Sequence, residues 1–187
     1  MTDNQLQQTL LALQTRLATL EGEADIRRIQ ARYMFLCDTP CPEPVADDAE
    51  RIEKILELYA EDAVWEGVGS YYNGQFGRLE GKAAIRKHFQ NFWGQKKDPA
   101  LLLNVHYLTS EQIHVDGDSA NGQWVHCQPW IFSDGKTLLR SSRLNNLFRR
   151  IDGVWKIART RTENVFVAPL TPGWVETMPE VSVLMNA

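Results

Sequence analysis

The sequence has few cysteines, no long apolar run and no excess of basic residues, and each shortage excludes a class of protein. It contains only three cysteines, Cys37, Cys41 and Cys127, in 187 residues. Because this number is odd and no CxxC pair occurs, we predict neither a disulfide framework nor a zinc module, and we expect reduced thiols. The apolar runs are far shorter than the roughly 20 residues that cross a bilayer, so no membrane span is predicted.

Charge and the first residues of the chain limit its location and partners. Twenty Lys and Arg stand against 24 Asp and Glu, which leaves a net charge of −4. This balance argues against a broad basic surface for nucleic acid or anionic lipid. The start, MTDNQLQQTL, lacks the basic end and apolar stretch of a signal peptide. We therefore expect a cytoplasmic protein that binds neither nucleic acid nor membrane, with one domain built from its 43% hydrophobic positions.

The N-terminal region carries the period of amphipathic helices. Leucines recur at spacings of four, three, four and three residues in a leucine stripe made of Leu6, Leu10, Leu13, Leu17 and Leu20. The stripe predicts packing against either its own domain or a neighbouring subunit, and it favours assembly into a homo-oligomer, a dimer or a trimer. Gly22 predicts a break, so residues 1–22 form a separate helix. A second helix from Glu23 ends at Asp38, because three prolines follow within residues 39–44.

The rest of the chain changes from helical to strand patterns. Helices are predicted from Asp47 to near Asp62 and over residues 82–93, with a strand at 63–68 and a glycine-rich loop at 67–81 between them. Asp-Gly pairs at 116–117, 134–135 and 152–153 separate β-rich runs, which predicts a meander of long antiparallel strands. Residues 23–170 are therefore predicted to form an α+β domain whose curved sheet wraps onto three helices, followed by an extension at 171–187.

Two histidines share strand faces with residues that suit a pocket. The period of two places His106 on one face with Leu102, Asn104 and Leu108. It places His126 with Trp124, Gln128 and Trp130, a mixture of aromatic and hydrogen-bonding groups that is typical of a binding-site wall. The alternative for each is a hydrogen-bonded packing residue. His88, within a helix, and His114, near a hairpin end, are given no role.

Asp38 and Tyr33 are the candidates to act with a histidine. A carboxylate at a helix end beside apolar residues becomes partly buried and then needs a partner, for which an imidazole is suited. Such a carboxylate fixes the tautomer of the imidazole and raises the basicity of its other nitrogen, which gives a general base. Tyr33 precedes Asp38 by about one and a half helical turns, so its phenol can reach the same cavity as a proton donor. The alternative for Asp38 is a side chain that stabilises a turn.

Several segments in a fixed order resemble the SnoaL-like branch of the nuclear-transport-factor-2-like superfamily. They are IRRIQARY (26–33) followed by Asp38, LYAEDAVW (58–65), LEGKAAI (79–85), His106 with VDGDSA (115–120), and RIDGVWKI (150–157). The resemblance covers residues 24–170 and implies a cone-shaped α+β roll with a deep cavity. Its enzymes include scytalone dehydratase, bile-acid 7α-dehydratase and hexachlorocyclohexane dehydrochlorinase, which use an Asp-His pair without metal.

The resemblance assigns roles to individual residues. Asp38 and His106 match the Asp-His pair, and Tyr33 matches a tyrosine of the bile-acid enzyme. The candidate substrate-binding residues are Trp65, which matches a cavity tryptophan of the dehydrochlorinase, together with Trp124, His126, Gln128, Trp130 and Asn146. The position that corresponds to the dehydrochlorinase arginine is Thr160, which leaves open whether Arg140, Arg159 or Arg161 enters the cavity.

These observations predict a lyase that eliminates water or a similar group without cofactor or metal. His106 would remove a proton and Tyr33 would protonate the leaving oxygen. The substrate is expected to be a small apolar molecule, aromatic or polycyclic, because the predicted wall is rich in rings, including Tyr71, Tyr72 and Phe76. The alternatives are an isomerase, a non-catalytic subunit like the β subunit of ring-hydroxylating dioxygenases, and a metal enzyme that uses Asp38, His106 and His126.

Overall fold

The computed structural model describes residues 2–73, 77–94 and 97–171. These residues contain four helices, α1 (Asp3–Cys37), α2 (Asp48–Glu57), α3 (Ser70–Asn73) and α4 (Lys82–Trp93). The same ranges contain seven strands, β1 (Tyr59–Val68), β2 (Arg78–Glu80), β3 (Leu101–Asn104), β4 (Tyr107–Asp116), β5 (Ser119–Phe132), β6 (Thr137–Ile151) and β7 (Val154–Pro169). Phe76 and the extension predicted beyond residue 171 lie outside the described residues. None of the described helices is long and apolar enough to cross a membrane.

The strands form one strongly curled, mixed sheet. Its order is β2-β1-β7-β6-β5-β3, with β4 also paired to β5. The predicted meander is present, because β4 to β7 are joined in antiparallel pairs and each Asp-Gly pair lies between two of these strands. Strand β1 is parallel to β7, which makes the sheet mixed. The sheet curls into a half-barrel around the helices, so the α+β cone is confirmed.

Helix α1 is continuous, so the helix break predicted at Gly22 is absent. A Cβ atom at this position would lie 3.3 Å from both the Trp155 ring and the Val115 side chain. Glycine therefore favours the close approach of α1 to the sheet, and the rest of the helix compensates for its low helix propensity. The leucine stripe does not pack against the described part of its own domain, because its five leucines are 44% to 60% exposed.

Two other boundaries differ from the sequence prediction. Helix α2 ends at Glu57 rather than near Asp62, because Tyr59 already pairs with Ile157 of β7. The predicted loop at 67–81 contains α3 and β2, and β2 pairs antiparallel with Val64 to Glu66 of the preceding strand β1. Strand pairing overrides the local pattern in both places, with the distant β7 in the first and with β1 in the second.

The core lies between the helices and the concave face of the sheet. Its fully buried side chains come from α1, α2, α4, β1, β6 and β7, and include Ile26, Leu36, Ile55, Tyr59, Ile85, Phe148 and Ile157. This core fills only part of the cone. The remaining space is a cavity that is bounded by α1, α3, α4 and the concave face of the sheet.

Candidate active site

The cavity has a volume of about 430 Å³, which is within the range of small-molecule sites. Its wall is rich in aromatic side chains, with contributions from Tyr33, Trp65, Tyr71, Tyr72, Phe89, Phe92, Trp93 and Trp130. Polar groups on β3, β5 and β6 and between β3 and β4 also line the wall, namely Asn104, His106, His126, Gln128 and Arg140. An apolar cavity with a few converging polar groups is suited to a ring compound that is held in one orientation.

Asp38 and His106 are in direct contact. The Nδ1 atom of His106 lies 2.6 Å from Oδ1 of Asp38, and the backbone N–H of His106 donates to the same oxygen at 2.9 Å. The Asp38 side chain is buried, and His106 lies between β3 and β4 rather than within one long strand as predicted. The interruption frees the backbone N–H of His106 from the sheet, so that it can bind the carboxylate.

The loop that follows α1 is held in place on both sides of Asp38. Thr39 and Asn104 exchange two backbone hydrogen bonds of 2.8 Å, which join the loop to β3. The guanidinium group of Arg51 donates to the Leu36 carbonyl at 2.6 Å and also to the Asp38 carbonyl. The prolines end the helix here, and Arg51 binds two carbonyl groups that the end of a helix leaves without partners.

A chain of amides determines the tautomer of His106. The side-chain N–H of Asn104 donates to the Cys37 carbonyl at 3.2 Å, so its oxygen faces Gln128 and accepts from the Gln128 amide. The same Gln128 nitrogen lies 3.0 Å from Nε2 of His106. An amide nitrogen has only hydrogens to offer, so Nε2 carries the lone pair and Nδ1 carries the proton that Asp38 accepts.

Tyr33 lines the cavity as a protonated phenol. Its hydroxyl accepts a hydrogen bond of 3.1 Å from the indole N–H of Trp65. Burial raises the pKa of Tyr33 well above its usual value, and the nearby Tyr59 and Cys37 raise this pKa further. Burial also raises the pKa of the Cys37 thiol to about 12, so this cysteine stays a thiol and is not a nucleophile at neutral pH.

The ring of His126 stacks on that of His106. The two ring centroids lie 5.0 Å apart, and the ring planes meet at 20°. Neither ring nitrogen of His126 has a hydrogen-bond partner among the described residues, although only 5% of the residue is exposed. The pKa of His126 is lowered to about 3, mainly by burial and to a smaller extent by electrostatic interactions with His106 and Arg140. The imidazole of His126 is therefore neutral at neutral pH.

His88 was given no role from the sequence, but it lines the cavity. Its ring centroid lies 4.4 Å from that of Trp65, and burial, with a smaller contribution from Lys97, lowers its pKa to about 4. The signal that could have found it is helical spacing, since His88 follows Ile85 by three residues on the apolar face of α4. His114 is exposed.

Two of the predicted substrate-binding residues lie outside the cavity wall. Trp124 covers Gly122, where a Cβ atom would lie 2.3 Å from the indole, and so fills the cone beside Phe148. Asn146 donates to the Gln30 side chain at 2.9 Å and accepts from the backbone N–H of Arg161 at 3.1 Å. Both residues are buried in the packed part of the cone, outside the cavity wall. His126, Gln128 and Trp130 line the cavity, as expected from their strand face, and Trp65 lines it, as expected from the resemblance.

The structure also decides which arginine enters the cavity. Arg140 lines the wall, and only 7% of it is exposed. Arg159 and Arg161 instead lie beside Glu66, with Nε atoms 4.0 Å and 3.8 Å from its carboxylate. Thr160, which lies between them, lines the cavity together with Thr162.

Metal ligands do not cluster in the part of the chain that the structure describes. No group of three or more His, Cys, Asp and Glu side chains there is arranged to hold an ion. The set of Asp38, His106 and His126 therefore forms no such group. All three cysteines are free thiols, and none forms a disulfide.

Comparisons with known proteins agree with this fold. A family model described as the SnoaL-like domain matches residues 18–161. A search among curated proteins gave no match. Among solved structures, hexachlorocyclohexane dehydrochlorinase LinA type 2 has a TM-score of 0.66 at 18% identity, over 87% of this chain and 97% of the other.

Two structures from Novosphingobium aromaticivorans DSM are also similar. A proposed scytalone dehydratase has a TM-score of 0.61 at 15% identity, over 81% of this chain and 89% of its own. A nuclear-transport-factor-2-like protein with a cystatin-like fold has a TM-score of 0.57 at 23% identity, over 84% of this chain and 89% of its own. At these identities the similarity to solved structures shows a shared fold.

Proposed function

Since this chain belongs to the SnoaL-like domain family, we propose that it is a lyase that eliminates water, or a similar group, from a small apolar ring compound without a cofactor. The observation that carries the proposal is the contact of 2.6 Å between Asp38 and Nδ1 of His106 at the wall of an aromatic cavity. The fold is shared with a protein named as a dehydrochlorinase and with one named as a proposed dehydratase.

His106 is the proposed general base. Asp38 holds the proton on Nδ1, so the lone pair on Nε2 is available to take a proton from an activated C–H group of the substrate. The buried carboxylate then stabilises the imidazolium that forms. Without substrate, Nε2 accepts a hydrogen from Gln128. The substrate must take the place of that amide before proton transfer, which makes Gln128 a binding residue that moves when substrate enters.

Tyr33 is the proposed acid. As Nε2 removes the proton, the electrons of the C–H bond form a carbon–carbon double bond and the bond to the leaving oxygen breaks. The phenol of Tyr33 is protonated at neutral pH because burial raises its pKa. It can give its proton to the departing hydroxyl, which leaves as water, and the imidazolium proton returns to the phenolate through solvent.

The test is turnover of a panel of hydroxylated aromatic and polycyclic compounds, followed by mass spectrometry. His106→Ala and Asp38→Asn are expected to lower kcat/KM at least about 100-fold, because positioned proton transfer contributes roughly 100-fold to 10,000-fold. His114→Ala, which changes an exposed histidine, is the matched control. Undiminished turnover by His106→Ala would remove the base from the mechanism.

The same assay separates the alternatives. A product lighter by one water indicates elimination, whereas a product of unchanged mass indicates an isomerase that uses the same base. Activity that a strong chelator abolishes would favour a metal enzyme. Binding without conversion of any compound would favour the non-catalytic subunit.

A further inference from the structure

The charges in the cavity wall all have one sign. Among the described residues that line it, Lys97 and Arg140 are cationic, and none is an aspartate or a glutamate. Asp38 lies behind His106, where it is engaged with the imidazole. Among the described residues, a wall rich in aromatic side chains therefore presents positive charge to its contents without a negative side chain in it.

Arg140 is the buried one of the two cations. Only 7% of Arg140 is exposed. Its guanidinium carbon lies 4.4 Å from the ring centroid of Trp130 and 5.1 Å from that of Tyr71. It forms no ion pair with a carboxylate of the described residues, and its Nε–H has no hydrogen-bond partner among them. Its one side-chain hydrogen bond there is a long one of 3.5 Å to the hydroxyl of Tyr72.

A buried charge without a partner is costly, and ring faces compensate for only part of that cost. Structural arginines usually bind carboxylates or backbone carbonyls, as Arg51 does here with two carbonyls. Arg140 does neither among the described residues, so a ligand is the natural source of its missing partner. The indole N–H of Trp130, which also lacks an acceptor there, lies beside it.

The position of Arg140 relates this cation to the base. On neighbouring strands Arg140 pairs directly with Gln128, and the Gln128 amide lies 3.0 Å from Nε2 of His106. Gln128 therefore has Arg140 as its neighbour on one side and His106 as its neighbour on the other. A small ring compound can therefore place its reacting carbon at His106 while a substituent reaches Arg140.

We propose that Arg140 binds a carboxylate of the substrate, so that the substrates of this protein are aromatic or polycyclic acids rather than neutral ring compounds. The planar guanidinium matches a carboxylate with two parallel hydrogen bonds, which a neutral hydroxyl or ether cannot form. The choice of substrate class rests on the proposed function, whereas the preference for an acid is a property of the cavity alone.

The test compares two probes that share a ring and differ in charge, 2-naphthoate and 2-naphthamide. Isothermal titration at pH 7.5 is expected to show about 10-fold to 100-fold tighter binding of 2-naphthoate to the wild-type protein. Arg140→Gln is expected to abolish this preference and to leave the affinity for 2-naphthamide nearly unchanged. Arg140→Lys keeps the positive charge but cannot form two parallel hydrogen bonds with a carboxylate, so it should retain part of the preference for 2-naphthoate. Arg161→Gln, which lies outside the cavity wall, is the control.

Equal affinities of the wild-type protein for both probes would overturn the proposal, and so would a preference that persists in Arg140→Gln. Loss of the preference in Lys97→Gln but not in Arg140→Gln would assign the site to the other cation. If Arg140→Gln fails to fold, the wild-type comparison and Arg140→Lys still decide. Failure of the lyase assignment is distinguishable, because the preference for 2-naphthoate would then survive in a protein that converts no substrate.

Discussion

At the scale of single residues, the two stacked imidazoles have opposite surroundings. His106 contacts Asp38 through one nitrogen and Gln128 through the other, whereas His126 has no polar partner among the described residues. The first arrangement prepares a base. The second keeps an imidazole neutral inside the cone, because burial lowers the pKa of His126 to about 3. A neutral ring can accept or donate a hydrogen bond to a ligand without adding charge to a cavity that already holds Arg140.

The buried His126 is expected to make the protein sensitive to acid. Its pKa is about 3 when folded and about 6.5 when unfolded, so between these values the unfolded chain binds a proton that the folded chain does not. Stability therefore falls as the pH drops through this window, by up to about 1.4 kcal/mol per pH unit. His126→Gln should make this fall shallower in urea unfolding at pH 4.5, 5.5 and 7. His114→Gln is the exposed control, and a slope unchanged in His126→Gln would contradict the assignment.

At the scale of elements, the junction of α1 with the following loop depends on α2. Arg51 extends from α2 to the carbonyls of Leu36 and Asp38, and its guanidinium carbon lies 4.1 Å from the ring centroid of Trp93 on α4. One buried side chain thus joins three helices next to the proposed base. It is a positioning residue, because it acts on the backbone of Asp38 and does not line the cavity.

Arg51→Met is expected to lower the free energy of unfolding by roughly 1–3 kcal/mol, because two buried carbonyls lose their donors. It should also lower kcat more than it raises KM, since Asp38 is displaced from His106 while the wall that binds the ring remains. Urea unfolding and steady-state kinetics measure the two effects. Arg28→Met, at a side chain that is 74% exposed, is the control, and an unchanged kcat would contradict the positioning role.

The packing of α1 on the sheet at Gly22 can be tested by substitution. Gly22→Leu would raise helix propensity by about 1 kcal/mol but would place a branched side chain against Trp155 and Val115. Overpacking of this kind costs about 1–3 kcal/mol, so we expect a net loss of stability in urea unfolding. Ala18→Leu on the exposed part of α1 should change stability by less than about 0.5 kcal/mol. A free energy of unfolding that is higher for Gly22→Leu than for the wild-type protein would show that Trp155 and Val115 can move away from α1.

At the scale of the whole molecule, the first half of α1 has no partner in the described chain. No residue from Thr2 to Glu21 is buried. The leucine stripe has the 3.5-residue period that brings one helix against another, and most of the stability of helices in proteins comes from packing of an apolar face. Association of copies through the stripe stays a prediction.

The double variant Leu13→Gln with Leu17→Gln is expected to shift the protein towards monomer in size-exclusion chromatography with light scattering. Each leucine is more than half exposed, with 53% and 56% of its surface accessible, so the monomer itself should lose little stability. Leu11→Gln, at a residue 59% exposed and outside the stripe, is the matched control. A double variant with the mass of the wild-type protein would show that the stripe does not mediate assembly.

The sequence by itself determined most of the long helices and strands and the class of fold. Leucine spacing, the prolines after Asp38 and the Asp-Gly turns act over a few residues, so they could be interpreted without coordinates. Alternation along β5 likewise predicted that His126, Gln128 and Trp130 share the cavity face, because period two follows from the pleat alone.

Only the tertiary structure decided which of these side chains meet. The contact between Asp38 and His106 depends on an interruption between β3 and β4, and the entry of Arg140 into the cavity depends on its register with Gln128. Trp124 shares a strand face with His126 but lies where the cone is filled, and Gly22 continues a helix because a distant tryptophan packs against it. Register, curl and close packing arise between segments far apart in the chain, and no local pattern encodes them.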